Sequence, residues 1–167
     1  RSLAAYASTV TQLQKATGRL LETSDREEAT EITITGLERA FEFDIAGLWL
    51  SNADRTRLEP AAITEQGQDI VDEPPTYSAD TQSLSWEAFE RGQSRLVSDV
   101  AAHEERYNPE SVIQSEVIVP VSEHGLLTIG STERSAFDER DRHRVELWAS
   151  LVESALARLD QIERLQH

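Results

Sequence analysis

Four histidines, a scatter of serines and no cysteine are the side chains this 167-residue chain can bring to a reaction. Without a thiol there is no disulfide, no thiolate zinc site, no cysteine nucleophile and no thioether-linked chromophore. His103-Glu104-Glu105 sets an imidazole beside two carboxylates, the residue types of a metal site, but no second histidine follows at helical spacing. His143 lies between Arg142 and Arg144 on what reads as an exposed helix face. None of the serines occupies a Gly-x-Ser-x-Gly elbow, and no glycine-rich loop is present to cradle a phosphate. No catalytic residue and no metal are expected, and the function is expected to lie in binding.

Charge narrows the partners. Acidic residues number 31 against 16 basic ones, for a formal net charge of −15. Lys15 is the only lysine, and the arginines are interleaved with acids. Phosphate backbones are bound by clustered cations, so nucleic-acid contact by this segment is not expected. No apolar run reaches membrane-spanning length and no signal peptide precedes the chain, so membrane contact is not expected and a cytoplasmic location is. The chain starts at Arg1 and stops at His167 inside a helical pattern, and is read as a piece of a longer signalling protein.

The elements that would position a binding site can be read from periodicity. Leu3, Tyr6, Val10, Leu13 and Leu20, with Thr17 in the remaining slot, follow the 3-4 spacing of a helix with a narrow seam. Ser24 with Glu27 has the form of a capping box, opening a second helix from Asp25 to Phe41 that buries Ala29, Ile32, Leu37 and Phe41. From Ile45 to Leu50 both alternating sets are apolar, as in a strand covered on both faces. Asn52 to Thr56 is a polar turn, and Leu58, Ala61 and Ile63 return as a strand that Pro60 marks as an edge or a bulge. Residues 64–80 read as a long loop. A short helix runs from Leu84 to Arg91 and stops at Gly92, Arg95 to Ser98 form a short strand, and 100–114 is irregular. Two strands, Glu116–Val121 and Leu126–Thr132, are joined by Ser122-Glu123-His124-Gly125, with Gly125 expected at positive φ. A last helix over 138–166 would be about 43 Å long, too long to cover only a small sheet, so its end is expected to leave the globule.

The run Ser115-Glu116-Val117-Ile118-Val119-Pro120-Val121, then Gly125-Leu126-Leu127-Thr128-Ile129-Gly130-Ser131, then Ala136-Phe137-Asp138 and a long apolar-periodic helix, resembles the C-terminal half of a GAF domain. The earlier order of elements fits as well, from Leu13 onward. The resemblance implies an α/β fold of the α+β type: a GAF/PAS-like antiparallel sheet of five to six strands, helices on one face and a small-molecule pocket on the other. It divides the chain into an N-terminal signalling and dimerisation helix over 1–23, a sensory core over 24–147 and a C-terminal helix over 148–167 leading to an output domain. With this acidity it is similar to the GAF segments of halophilic sensor histidine kinases and bacterio-opsin-activator-like regulators.

Mapped on this chain, the implied pocket lies in residues 67–114. Tyr77, Trp86, Phe89, Tyr107 and Ile113 would supply apolar walls, and Arg95, Asp99 and His103 polar contacts. Trp86 and Phe89 are also readable as plain core, and His103 as a solvent-facing loop residue. Members that reduce methionine sulfoxide use cysteines, members that bind cyclic nucleotides carry Asn-Lys-Phe-Asp-Glu, and bilin attachment needs a cysteine; none of these is present. Neither the ligand nor a cofactor is therefore specified. Two functional readings follow: a ligand sensor, or a ligand-free scaffold for dimerisation and spacing. The seam Val152, Ala155, Leu159, Ile162 matches the N-terminal seam of Leu3, Tyr6, Val10 and Leu13, and together they are expected to form a four-helix bundle in a homodimer. The alternative is that each helix covers only its own sheet.

Heavy acid with a single lysine also makes a solution prediction. Self-repulsion at −15 is relieved when the Debye length falls to about 3 Å at 1 M salt. The melting temperature is expected to rise between low and multimolar salt. An unchanged value would remove the halophile reading and leave an ordinary acidic mesophilic domain.

Overall fold

The computed structural model describes residues 3–81, 83–103 and 112–166, apart from the side chain of Tyr6. Six strands, β1 (Ala46–Ser51), β2 (Arg57–Ile63), β3 (Tyr77–Ser78), β4 (Arg95–Val97), β5 (Ser115–Val121) and β6 (Gly125–Ser131), form one sheet in the order β3-β2-β1-β6-β5-β4. Every neighbouring pair is antiparallel. Helices α1 (Leu3–Glu22), α2 (Arg26–Thr35) and α5 (Glu139–Leu165) layer one face. The other face carries the short helices α3 (Glu65–Ile70) and α4 (Leu84–Arg91). This is the α+β sheet-and-helix architecture expected from the sequence.

Alternation along the central strands divides the interior in two. Ala46, Leu48, Val117, Val119, Val121, Leu127 and Ile129 point into the helical layer, where they meet Ile32, Leu37, Val145 and Trp148. Trp49, Ile118 and Leu126 point the opposite way, onto Leu58, Leu84, Trp86, Phe89 and Val97. Both sets are buried because the sheet is covered on both faces, which is why β1 reads as continuously apolar. Pro60 sits at a bulge: Leu48 pairs with Ala62 and Trp49 with Pro60, leaving Ala61 unpaired on that side.

The helical layer is fastened by Trp148. The expected second helix begins at Arg26, but it changes to a π turn at Gly36–Ala40. The cap is Asp25, whose side chain accepts from the Glu27 amide at 3.1 Å, not Ser24. Trp148 is fully buried and donates its indole N–H to the Thr33 carbonyl at 3.1 Å, just before that turn. A Cβ at Gly36 would stand 2.5 Å from the same ring, so only glycine admits the indole there. Phe41, Phe43 and Phe137 extend the aromatic cluster, and Arg144 lies over the first two rings while donating to the Phe41 carbonyl. Helix α5 itself starts from a capping box in which Asp138 accepts from the amides of Arg140 and Asp141 and Asp141 accepts from that of Asp138.

Several expectations are corrected. Residues 64–80 are not one loop: Thr64 caps α3, accepting from the Gly67 and Ala46 amides and donating to the Asp44 carbonyl, and Tyr77–Ser78 make β3. Helix α5 packs on the sheet for most of its length, and only beyond Leu159 does its end leave the globule, where Gln161, Glu163, Arg164 and Leu165 are exposed. Its inward stripe is buried from Val145 to Leu159, and Arg158 donates to the Leu20 and Thr23 carbonyls at the end of α1. The division at residue 147 therefore falls inside a continuous packed helix. Val152, Ala155 and Leu159, expected in a dimer seam, close the chain's own core, because α1 and α2 already cover that stripe.

Gly125 is corrected too. The residue at positive φ in the β5–β6 turn is Ser122, at 50°, while Gly125 pairs with Leu50 and Val121 within the sheet. A Cβ on Gly125 would lie 2.0 Å from the Trp49 carbonyl oxygen, so the glycine is required by close approach. Gly125→Ala is expected to lower unfolding stability by about 1–3 kcal/mol or more, since a backbone atom cannot step aside. Ser122→Gly is expected to be neutral or to stabilise by up to about 1 kcal/mol, by relieving a left-handed L-residue. Urea unfolding of both variants checks the pair; the reverse order would put the strain at the wrong end of the turn.

Candidate functional site

On the sheet face away from α5 lies a cavity of about 420 Å³. Its floor is the outward row of three central strands: Gly47 on β1, Thr128 and Gly130 on β6, and Glu116 on β5. Register brings them side by side, with Gly47 opposite Thr128 and Gly130 opposite Glu116. The space exists because the floor is small. The Trp49 ring folds back over Gly47, where a Cβ would meet it at 2.4 Å, and Gly130 leaves room beneath Ile113.

The walls come from the far side. Helix α3 and the segment after it contribute Gly67, Ile70, Val71 and Pro75, and the start of α4 contributes Ser83 and Ser85. Trp49 holds the lid segment in place: its indole N–H donates to the Pro75 carbonyl at 2.8 Å, and its ring packs on Tyr77 at 5.5 Å. Ser83 caps α4 by accepting from the Trp86 amide, whereas the hydroxyl of Ser85, only 5% exposed, makes no hydrogen bond among the described residues.

Glu116 is the chemical centre of the cavity. Its side chain makes no hydrogen bond and no ion pair among the described residues. Its half-buried side chain lines the cavity, and desolvation pushes its carboxyl up from 4.5 to about 7. Asp72 and Glu73 are exposed and line the rim.

A wider open groove of about 880 Å³ lies between the β1–β2 turn, the β5–β6 turn and the end of α5. Most of its charges are spent on each other: Arg26 pairs with Asp160 and Glu163, Arg55 with Glu123, and His124 lies 3.5 Å from Asp160. It reads as a fastening between α2, the turns and α5.

Of the residues expected to bind, Tyr77 and Ile113 line the cavity. Trp86 and Phe89 are core on α4, their rings 5.5 Å apart, and the Trp86 indole N–H has no partner among the described residues. Arg95 turns toward Glu87, and Asp99 caps a short turn by accepting from the Ala101 amide, with His103 just beyond it; none of the three lines the cavity. Tyr107 and the side chain of Tyr6 lie outside the described residues. On the terminal helices Leu13 and Ile162 pack on the core, Val10 is half-buried and Leu3 is 84% exposed. Sequence reasoning missed Glu116, Thr128 and Ser85. The available signal was a lone carboxylate in β5, two positions from Ile118, in a strand otherwise buried on both faces.

The raised carboxyl makes a stability prediction whose sign follows from linkage. Glu116 holds its proton more tightly folded than unfolded, so stability falls as pH rises from about 4.5 to 7 and stays lower above. Glu116→Gln is therefore expected to be more stable than the parent at pH about 8, by on the order of 2–3 kcal/mol, with the gap closing by pH about 4. Chemical denaturation across that range checks it; a gap independent of pH would place Glu116 in ordinary solvent.

Similarity to known proteins agrees with this geometry. A family model described as GAF domain matches residues 23–157. The GAF domain of a phosphoenolpyruvate-protein phosphotransferase from Coxiella burnetii is 16% identical, with 95% of this chain and 98% of that one covered at a TM-score of 0.76. A free methionine-R-sulfoxide reductase from Neisseria meningitidis, solved with its substrate, is 21% identical, with 97% and 95% covered at 0.76. A segment of a methyl-accepting chemotaxis protein is 17% identical, with 88% and 98% covered at 0.75. At these identities the structures share the fold alone, and no curated protein matches the sequence significantly. No helix among the described residues is long and apolar enough to cross a membrane. GAF domains are generally sensory or regulatory modules that bind small molecules, and the fold is mostly non-enzymatic although some neighbours are reductases. Carrying the family's match over most of its length, this chain belongs to the GAF domain family.

Proposed function

We propose that this GAF domain is a sensory module: a small molecule occupies the cavity, and occupancy is relayed through α1 and α5 to an output domain of the parent protein. The observation that carries the reading is the two-sided sheet. Glu116, Thr128 and Gly130 floor the cavity, and the residues alternating with them, Val117, Val119, Leu127 and Ile129, bear on the helical layer. A ligand that favours one arrangement of β5 and β6 therefore acts on the surface against which α5 rests. The open, partly polar cavity favours this over a scaffold that merely spaces two domains.

The acidic, nearly lysine-free composition supports a salt-rich cytoplasm, and with it membership among halophilic sensor kinases or bacterio-opsin-activator-like regulators. Homodimerisation is part of the proposal, with its surface moved. Val152, Ala155 and Leu159 are occupied within the chain, whereas Leu3 and Leu165, 84% and 87% exposed at the far ends of the terminal helices, are free to meet a second copy.

The test uses Gly130→Leu, which projects an isobutyl group into the cavity from a site where a Cβ would make ordinary van der Waals contact with Ile113 at 3.4 Å. In a small-molecule screen, binders are expected to raise the melting temperature of the parent and not of the variant. A ligand at 100 times its Kd adds about 2.7 kcal/mol, a shift of roughly 5–10 °C for a domain of this size. Hydrogen exchange in α1 and α5 is expected to change on binding, and light scattering to give twice the chain mass. Binding that leaves α1 and α5 untouched would reduce the domain to a ligand-holding scaffold; a monomer at all concentrations would remove the dimer.

A further inference from the structure

The cavity has a chemical bias of its own. Its described lining contains no arginine, lysine or histidine, while Glu116 stands on the floor and Asp72 and Glu73 at the rim. Thr128 and Ser85 add hydroxyl groups without hydrogen-bond partners among the described residues, and the remaining wall is apolar around Ile63, Val71, Val100 and Ile113. A neutral apolar ligand would bury Glu116 with nothing to pair it, and an anion would meet like charge at the rim and on the floor. A ligand bearing one positive charge supplies the missing counter-ion and hydrogen-bond donors together.

We infer that the cavity takes a small organic cation, a compact apolar body carrying one protonated amine or amidine that docks on the Glu116 carboxylate with its remaining N–H groups toward Thr128 and Ser85. The inference rests on the cavity being the ligand site proposed above. Asp72 and Glu73 attract the cation toward the mouth, but their exposure leaves solvent to screen them, so selectivity resides in Glu116. Binding is linked to protonation. The other titratable groups lining the cavity are Asp72, Glu73 and Tyr77, and Arg95 on the neighbouring strand β4 is turned to Glu87. Below about pH 7 the Glu116 carboxyl is largely protonated, and an ammonium group loses its partner. Cation affinity therefore rises with pH until the amine itself loses its proton.

The experiment compares matched amines, alcohols and carboxylates of one shape: phenethylamine, phenethyl alcohol and phenylacetate, and isoamylamine, isoamyl alcohol and isovalerate. Binding is followed by amide resonances of Thr128 and Gly130 in the parent, Glu116→Gln and Gly130→Leu. The amines are expected to bind the parent at least about tenfold more tightly than the alcohols, and the carboxylates not measurably. Glu116→Gln is expected to bind amine and alcohol alike. Between about pH 6 and pH 8 amine affinity for the parent is expected to rise about tenfold, with alcohol affinity unchanged. That arm stands without any substitution. Alcohols or carboxylates that bind as well as amines, an amine preference surviving Glu116→Gln, or pH-independent amine binding would each overturn the cation assignment and leave the cavity as a ligand site. If no probe of any charge moves those resonances, the cation assignment falls together with the ligand site.

Discussion

The indole of Trp148 is the contact on which the helical half of the molecule depends. It fills a notch that only glycine can leave in the turn after α2, and its single polar atom donates to the Thr33 carbonyl, which also accepts from the Gly36 amide where α geometry gives way to π. A buried indole N–H without a partner would weigh against folding, and the second lone pair of this carbonyl removes that penalty. Because Trp148 lies within the body of α5, this one fit sets the rotation of a 27-residue helix and so decides which stripe meets the sheet. Arg158 on the Leu20 and Thr23 carbonyls and Arg26 on Asp160 then fix the far end. α5 is held at both ends of the layer.

The opposite face is organised on different terms. The helical side is closed by large side chains, whereas the cavity side keeps two glycines and a threonine in the middle of its strands and leaves a carboxyl without a partner among the described residues. Unfilled volume forfeits dispersion contacts, and an isolated carboxyl resists desolvation. Trp49 makes this arrangement sturdy by bridging from β1 to Pro75 and Tyr77, so that the space has a fixed roof instead of collapsing.

How far this was legible in the sequence depends on the range of the interactions. Strands β5 and β6, the final helix and the apolar run of β1 follow from periodicity, because each reports its own burial residue by residue. Pro60 marked its bulge because a missing N–H has only a few places to go. The errors arose where a residue acts on something distant in sequence. Gly125 was read as a turn residue, yet it is needed by a carbonyl on Trp49, a contact created only when β1 and β6 pair. The stripe of Val152, Ala155 and Leu159 has dimer-like spacing, and nothing in a spacing says whether the partner is another chain or α1 and α2 of the same one. In the candidate site Tyr77 and Ile113 were found by their apolar character, while Glu116 was hidden in a stretch valued for its strand pattern. Trp86 has the composition of a pocket residue and the location of a core one.

Alternation in β5 and β6 also has a consequence for descent. Neighbouring residues answer to different demands: Val117, Val119, Leu127 and Ile129 to the packing of the helices, Glu116, Thr128 and Gly130 to whatever fills the cavity. A lineage can therefore exchange the second set, and with it the chemistry recognised, while the first passes unaltered from ancestor to descendant. Two interleaved sets of constraints run along the same strands, one imposed by the helical layer and the other by the cavity.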